Sequence, residues 1–497
     1  MSSPSSTPPS PMATPSSCAS TCRAADRVPD LDLDFAPAHE LAALIRSREL
    51  SPVDLMERSL GRIEERNPTL NAFVEVDAEG AMRQAEAVAA RLAAGEEVGP
   101  LAGLPLGVKD LENAAGFVTT RGSRLYRDNR VDFDDAHVAR LRAAGAIVVG
   151  KTNTPEFGHI PFTDNELFGS TLNPWNLERT PGGSSGGSSA ALASGMVPLA
   201  TASDGGGSIR IPACYTGLYG LKPSQGRTPI APRPMPTWLS ISCYGPLTRC
   251  VRDAAIYLDV VAGPHPEDPE SLPPPDVSYT DTLEEPLPKL RIAFNETLGV
   301  TRVQRDVLRE VRAAAEAFAG MGHEVEENRD EIPEMGGWWA RVSAFQSLGQ
   351  EWDNFSTRHD EFTARYIRQL DRALEVGPSD FQEFLRRRGE LISWTARLFE
   401  RYDLLLTPTL PTEAFAPAGP IPREIEGERA NAIAFTYPFN FTGHPAASVP
   451  AGLTDAGLPC GLQIVAPRHR DDLVLRASRA YEQSRPFPPL PGAGGMA

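Results

Sequence analysis

Residues 181–210, PGGSSGGSSAALASGMVPLATASDGGGSIR, constrain this 497-residue chain more than any other stretch. Two glycine-flanked serine clusters lie in it, Gly182-Gly183-Ser184-Ser185-Gly186-Gly187 and Asp204-Gly205-Gly206-Gly207-Ser208. Glycine lets a backbone come close to a ligand and reach dihedrals closed to other residues. Successive glycine amides ahead of a serine can aim their N–H groups at one oxygen, as stabilisation of an oxyanion requires. Gly/Ser runs are also the composition of flexible linkers. Here the run is broken by Ala190-Ala191-Leu192-Ala193 and Met196-Val197-Pro198-Leu199, apolar pieces that a linker would not carry. No Gly-x-x-x-x-Gly-Lys-Ser/Thr occurs within residues 181–210, so this stretch is not a P-loop. Gly182-Gly183-Ser184-Ser185-Gly186 fits Gly-x-Ser-x-Gly, but a nucleophile elbow needs a strand directly before it. The preceding residues 173–181 hold two prolines and no apolar run, so the match is read as accidental.

Taken with Lys109 in Leu104-Pro105-Leu106-Gly107-Val108-Lys109-Asp110, the stretch resembles the signature of the amidase signature family. The resemblance runs from about residue 34 to about residue 487. It includes Gly150-Lys151-Thr152-Asn153, Gly220-Leu221-Lys222-Pro223 and Phe439-Asn440-Phe441-Thr442-Gly443-His444-Pro445. It implies an α/β fold: a single large layered domain over residues 31–497, with a mixed β-sheet core covered by helices on both faces. It also implies a catalytic triad of Lys109, Ser184 and Ser208, with a cis peptide bond between Gly183 and Ser184. In such a triad Ser208 is the nucleophile, and Ser184 relays its proton to neutral Lys109 and later to the departing nitrogen. The amides of Gly205, Gly206, Gly207 and Ser208 would bind the oxyanion. The chain departs from the commonest pattern in having Ser203-Asp204 for Thr-Asp, followed by a third glycine, Gly205.

The function implied is hydrolysis of carboxylic amides, with esters and carbamates as further substrates, through an acyl-enzyme and without metal or cofactor. The alternative is the amidase subunit of a glutamine-dependent amidotransferase. That role needs a polar pocket for a glutamine head group, and no matching segment is found in residues 330–440, where Trp338-Trp339 stand instead. A small-molecule amide is the expected partner, and a homodimer is left open.

Lysine is rarely buried without a role. Only Lys109, Lys151, Lys222 and Lys289 occur, and three of them sit in or near the motifs above. From the residues alone Lys151 rivals Lys109 as base, since each follows a short apolar run; the family pattern gives Lys151 to the scaffold. Arg210 has two readings, a substrate-carboxylate ligand or, by the resemblance, a brace for the loop. His137 reads as a helix-surface or packing residue. Trp338, Trp339, Phe345, Trp352 and Phe355, with Met235-Pro236-Thr237-Trp238, are the expected cover of a pocket for bulky apolar or aromatic amides.

The net charge of −17 argues against nucleic acid and against an anionic membrane surface. No run of about 18 apolar residues is present, so no transmembrane helix is expected. Residues 1–30 are rich in Ser, Pro and Thr without the apolar core of a secretory signal. They read as a disordered tail, and the cytoplasm is the expected compartment. The six cysteines show neither Cys-x-x-Cys nor a Cys/His cluster, so reduced thiols are expected.

Periodicity predicts helices over residues 38–47, from the Ser51-Pro52-Val53-Asp54 capping box onward, and over 81–92, 137–144, 188–194, 304–319, 362–374, 381–402 and 473–481. Strands are predicted over 71–76, 104–108, 146–149, 217–223, 290–294, 404–406, 446–449 and 461–465, with another starting at 324. The 290–325 segment reads as a βαβ unit, hence parallel pairing. The Pro- and acid-rich residues 263–289 read as an exposed excursion.

Overall fold

The structure is a computed structural model and describes residues 31–232 and 240–493. The expected tail 1–30 and the expected pocket wall at residues 235–238 lie outside them. Among the described residues eleven strands form one sheet. In chain order these are β1 (Phe73–Val76), β2 (Pro105–Lys109), β3 (Ile147–Thr152), β4 (Leu199–Asp204), β5 (Tyr219–Lys222), β6 (Cys243–Thr248), β7 (Arg291–Phe294), β8 (Glu324–Glu327) and β9 (Leu404–Pro408). A small separate hairpin, β10 (Glu424–Ile425) and β11 (Glu428–Arg429), precedes β12 (Ala446–Leu453) and β13 (Pro459–Val465). The order across the sheet is β1-β3-β2-β4-β6-β5-β12-β13-β9-β7-β8. Pairing is mixed: β3, β2 and β4 run parallel, as do β9, β7 and β8, while β4 to β6, β5 to β12 and β12 to β13 are antiparallel. The βαβ unit expected around residues 290–325 is present, with β7 and β8 parallel across the helix Arg305–Gly320.

Both faces of the sheet are covered, as side-chain alternation shows. On β3, Val148 packs into the large core with Val138 and Leu141 of helix Ala136–Ala143 and with helix Val251–Val261. Its neighbours Ile147 and Val149 join Met56, Ile63, Ala81, Ala85, Ala190 and Ala191, which belong to three other helices. Successive strand residues point to opposite faces, so these are two helical layers. On β4, Leu199 belongs to the first side while Ala200 and Ala202 pack with Leu192, Ala193 and Ala213 on the second.

Local chemistry sets the element ends. Ser51 accepts from the amides of Val53 and Asp54 at 3.2 and 3.4 Å and starts helix Pro52–Leu70 with proline in its first turn. Sequence periodicity misses β4 (LATASD), β6 (CYGPLT) and the helices Arg210–Thr216, Val251–Val261 and Gly336–Gln350. β4 carries Ala and Asp and β6 carries Gly and Pro, all poor strand formers, and the two are held by antiparallel pairing to each other. The chain also brings together His39, Cys250 and Asp253, which spacing does not connect. The Asp253 carboxylate there accepts from the amides of Ala38 and His39 and meets His39 Nδ1 at 2.7 Å, closing the start of helix Ala38–Arg46. Four cysteines (Cys214, Cys243, Cys250 and Cys460) are free thiols. Among the described residues no helix is long and apolar enough to cross a membrane.

Candidate active site

β2 and β4 lie side by side in parallel, with Leu106 opposite Leu199 and Gly107 opposite Ala200. β2 ends on Lys109 and β4 on Asp204, so the fold delivers Lys109 and the Asp204-Gly205-Gly206-Gly207-Ser208 turn to one place. Ligands of open α/β sheets bind beyond such carboxyl ends. The first serine cluster arrives from the long loop after β3 and opens the fully buried helix Gly186–Ala193. A Cβ on Gly187 would stand 2.2 Å from the Asn153 amide nitrogen, and one on Gly183 would stand 2.6 Å from the Phe162 backbone. Glycine is thus what lets the cluster seat against the sheet. The Gly183–Ser184 peptide bond is cis, as the resemblance implies.

Lys109 is fully buried. Its Nζ donates to Ser184 Oγ at 2.8 Å and to Ser203 Oγ at 2.9 Å. Burial pulls its pKa from 10.5 to about 8, against the upward pull of Glu112 and Asp204. Ser208 lines the same cavity as Ser184 and Ser203, but among the described residues it makes no hydrogen bond to Ser184. The structure therefore joins Lys109 to Ser184 directly and brings Ser208 to the shared cavity.

The loop carrying Ser208 is braced from below. Arg210, fully buried, donates to both Asp204 carboxylate oxygens at 3.0 and 2.9 Å, to Gln463 Oε1 at 2.8 Å, to Asn440 Oδ1 at 2.7 Å and to the Thr436 carbonyl at 2.8 Å. Burial works against the Asp204 charge, yet Arg210 and Asn440 hold its pKa at about 2. Of the two readings of Arg210, the brace is the one this geometry carries. The Gly207 amide donates to Asp204 Oδ1 at 2.6 Å, so that expected oxyanion donor is already engaged, and Gly207 is absent from the cavity wall. Gly205 and Gly206 do line the cavity. Their carbonyls are held by Trp339 Nε1 at 3.1 Å and Thr436 Oγ1 at 2.6 Å. In a trans peptide the amide points opposite the carbonyl, so Trp339 fixes the direction of the Gly206 N–H.

Lys151, the rival base, is also fully buried but is absent from the cavity wall. Its Nζ donates to the Glu112 carbonyl and to Thr119 Oγ1 at 2.9 Å and lies 3.8 Å from Asp110. His137 is buried, meets Glu112 at 3.0 Å and packs tilted against the Tyr244 ring with centroids 4.1 Å apart, a packing role.

The cavity measures about 600 Å³. Its apolar wall includes Leu111, Phe157, Ile160, Tyr244, Tyr366 and Ile433. Of the five aromatic residues expected as cover, Trp339 lines it. Trp338 lies under the Arg341 and Arg387 guanidinium groups, Phe345 and Trp352 are exposed, and Phe355 packs beside Phe362. Sequence reasoning missed Ser203 as a Lys109 partner, although it directly precedes Asp204. It also missed Phe157, Tyr244 and Tyr366, which sit far from the serine clusters in sequence.

The family model for amidases matches residues 54–475. An acylamidase of Rhodococcus erythropolis is 37% identical over 471 residues, covering 92% of this chain and 97% of that protein. A glutamyl-tRNA(Gln) amidotransferase subunit from Thermus thermophilus is 36% identical over 476 residues, covering 90% and 97%. The crystal structure of a bacterial aryl acylamidase of the amidase signature family superposes with a TM-score of 0.86 at 34% identity, covering 91% and 97%. By this match across nearly its whole described length, the chain belongs to the amidase signature family.

Proposed function

We propose that this enzyme hydrolyses carboxylic amides through an acyl-enzyme on Ser208, with Ser184 as proton relay and Lys109 as base. The observation that carries the reading is the 2.8 Å contact between Lys109 Nζ and Ser184 Oγ in a fully buried site. A serine hydroxyl is inert at neutral pH and needs a base in reach. Burial supplies one, because a lysine held at about 8 is neutral in a useful fraction at working pH.

Ser208 Oγ attacks the amide carbon while its proton passes to Ser184 Oγ and the Ser184 proton passes to Lys109 Nζ. The carbonyl π electrons move onto oxygen, which the amides of Gly205, Gly206 and Ser208 receive. Each such donor is worth about 3 kcal/mol in the transition state. The intermediate collapses as the C–N bond breaks, and the proton on Lys109 returns through Ser184 to the leaving nitrogen. Water then attacks the ester by the same route and frees Ser208. Ser208 comes within hydrogen-bond reach of Ser184 when substrate fills the cavity, as catalytic hydrogen bonds commonly form fully only in the complex.

The aromatic wall of Trp339, Phe157, Tyr244 and Tyr366 supports aryl or bulky apolar amides as preferred substrates. The relatives that belong to amidotransferases give a second reading, in which the chain needs a partner to act on glutamine. Turnover of an anilide by the chain alone decides for the first. A fluorophosphonate should label Ser208, and Ser208→Ala should abolish turnover. An adduct mapped to Ser184 or Ser185 overturns the assignment.

A further inference from the structure

Arg121 lines the cavity and is used by nothing in the mechanism above. Its backbone is pinned on both sides: its amide donates to the Asp110 carbonyl at 2.9 Å, and its carbonyl accepts from the Phe157 amide at 2.8 Å. It takes φ 55°, a left-handed conformation that is uncommon for a non-glycine residue and concentrates at functional sites. The guanidinium lies over the Tyr126 ring, 4.7 Å from its centroid, and Tyr126 shares the cavity wall. The head group is therefore pre-positioned at little further entropic cost.

Its donors are open. Among the described residues the acidic group paired nearest to it is Glu351, 3.7 Å from Nη1 and so beyond hydrogen-bond reach. The Glu351 carboxylate is instead bonded by Tyr126 Oη at 3.0 Å and Asn354 Nδ2 at 2.8 Å. Asp135, the other acid on the wall, accepts from the Asn113 amide and side chain at 3.0 and 2.9 Å and from Tyr244 Oη at 3.4 Å. The remaining titratable side chains facing the cavity are the phenols of Tyr126, Tyr244 and Tyr366, and His159, which burial keeps neutral down to about pH 4. Both carboxylates thus have protein donors of their own, whereas the five N–H groups of Arg121 have no hydrogen-bond acceptor among the described residues. Planar forks of this kind bind carboxylates in two-point fashion.

We propose that Arg121 is a specificity-determining residue that binds a carboxylate carried by the substrate apart from its scissile amide, so that amides of amino- or dicarboxylic acids are favoured over their uncharged analogues. This rests on the amide-hydrolase reading given above.

The test compares kcat/KM for matched pairs: 4-acetamidobenzoate against acetanilide and 4-acetamidobenzamide, and glutaric acid monoanilide against pentananilide. Wild type, Arg121→Lys and Arg121→Gln are measured alongside thermal midpoints. In wild type at least one acid should exceed its neutral partners by about tenfold or more, the usual weight of a charge-assisted bond. Arg121→Gln should collapse that ratio mainly through KM, and Arg121→Lys should keep part of it. A wild-type ratio at or below one in both pairs overturns the proposal. So does an Arg121→Gln variant that loses acid and neutral substrates in equal proportion, which is what a mere brace for Glu351 would give. If wild type hydrolyses the neutral anilides but gains nothing from the carboxylate, this inference alone falls. If it hydrolyses no amide and Ser208 takes no label, the underlying reading falls with it.

Discussion

Ser203→Ala is the perturbation that tests most directly how Lys109 is tuned. Ser203 Oγ sits 2.9 Å from Lys109 Nζ and Ser184 Oγ sits 2.8 Å from it, so these two hydroxyls are the near partners of the amine. When Lys109 is neutral its lone pair must accept from Ser184, and Ser203 accepts one N–H. When Lys109 is charged, Ser203 accepts from an ammonium, a bond roughly twice as strong. With a neutral bond worth about 1 kcal/mol, Ser203 favours the charged form by about 1 kcal/mol. Removing it should lower the Lys109 pKa by about 0.7. The wild-type dependence of kcat/KM on pH, which reports the free enzyme, should rise through a midpoint at about 8. At pH 7 about a tenth of the enzyme is then competent, against about three parts in ten thousand for a lysine left at its ordinary value. In Ser203→Ala the rising limb should move to lower pH by about half to one unit, while the plateau falls because the amine is less well oriented. The assay is initial-rate kcat/KM on a chromogenic anilide between pH 6 and 10. A limb that stays put or moves upward in the variant would refute the reasoning.

Two further substitutions probe the surroundings. Lys151→Met should leave the rising limb in place, because Lys151 does not reach the cavity. It should cost about 3 kcal/mol in a denaturant titration by removing the partner of Asp110. Burial already lifts the Asp110 pKa to about 6 against the pull of Lys151. The variant lifts it further, and a carboxyl raised in the folded state loses stability as pH climbs through that value, so the deficit should grow above pH 6; a deficit that shrinks there argues against the pairing. Trp339→Phe keeps an aromatic wall but drops the 3.1 Å bond to the Gly205 carbonyl. It should lower kcat more than it raises KM, by roughly tenfold or more if the Gly206 amide loses its direction, and a change confined to KM would make Trp339 a wall only.

Lys109 over Lys151 and the Gly183–Ser184 cis bond were legible only through the family resemblance, while the serine clusters were legible because they are contiguous motifs whose residue types serve chemistry. The helices with capping boxes or a regular apolar stripe, such as Pro52–Leu70 and Arg305–Gly320, were legible for the same local reason. β4 and β6 were not, because their stability comes from pairing with each other and local propensity does not report it. The cavity wall was only partly legible. Five aromatic residues in one segment looked alike in sequence, but helix Gly336–Gln350 sends Trp339 to the cavity and leaves Phe345 exposed. Engagement of the Gly207 amide by Asp204 was equally hidden, since glycine composition tells that an N–H can approach an oxygen and not which oxygen already has it.

The choice between Lys109 and Lys151 turns on one extra residue. β2 and β3 pair in parallel with Leu106 opposite Val148, and then Gly107 opposite Gly150, so β3 carries a bulge at Val149. Up to and including the bulge residue, Ile147 and Val149 pack in one cluster with Ala190 and Ala191 of the helix that follows the first serine cluster. Regular alternation would send Lys151 to that same side. The inserted residue flips the parity. Lys151 now pairs with Val108, which packs in the opposite core, and Lys109 pairs with Thr152, whose hydroxyl meets Ser188 of the cluster's helix at 2.7 Å. Bulges re-aim side chains next to active sites in this way. Gly150 is what the geometry requires there, since a Cβ at that position would stand 2.1 Å from the Glu75 carbonyl oxygen of β1. Two lysines that follow equivalent strands and are both fully buried thus end on opposite faces of the sheet, and only Lys109 emerges where a serine hydroxyl waits.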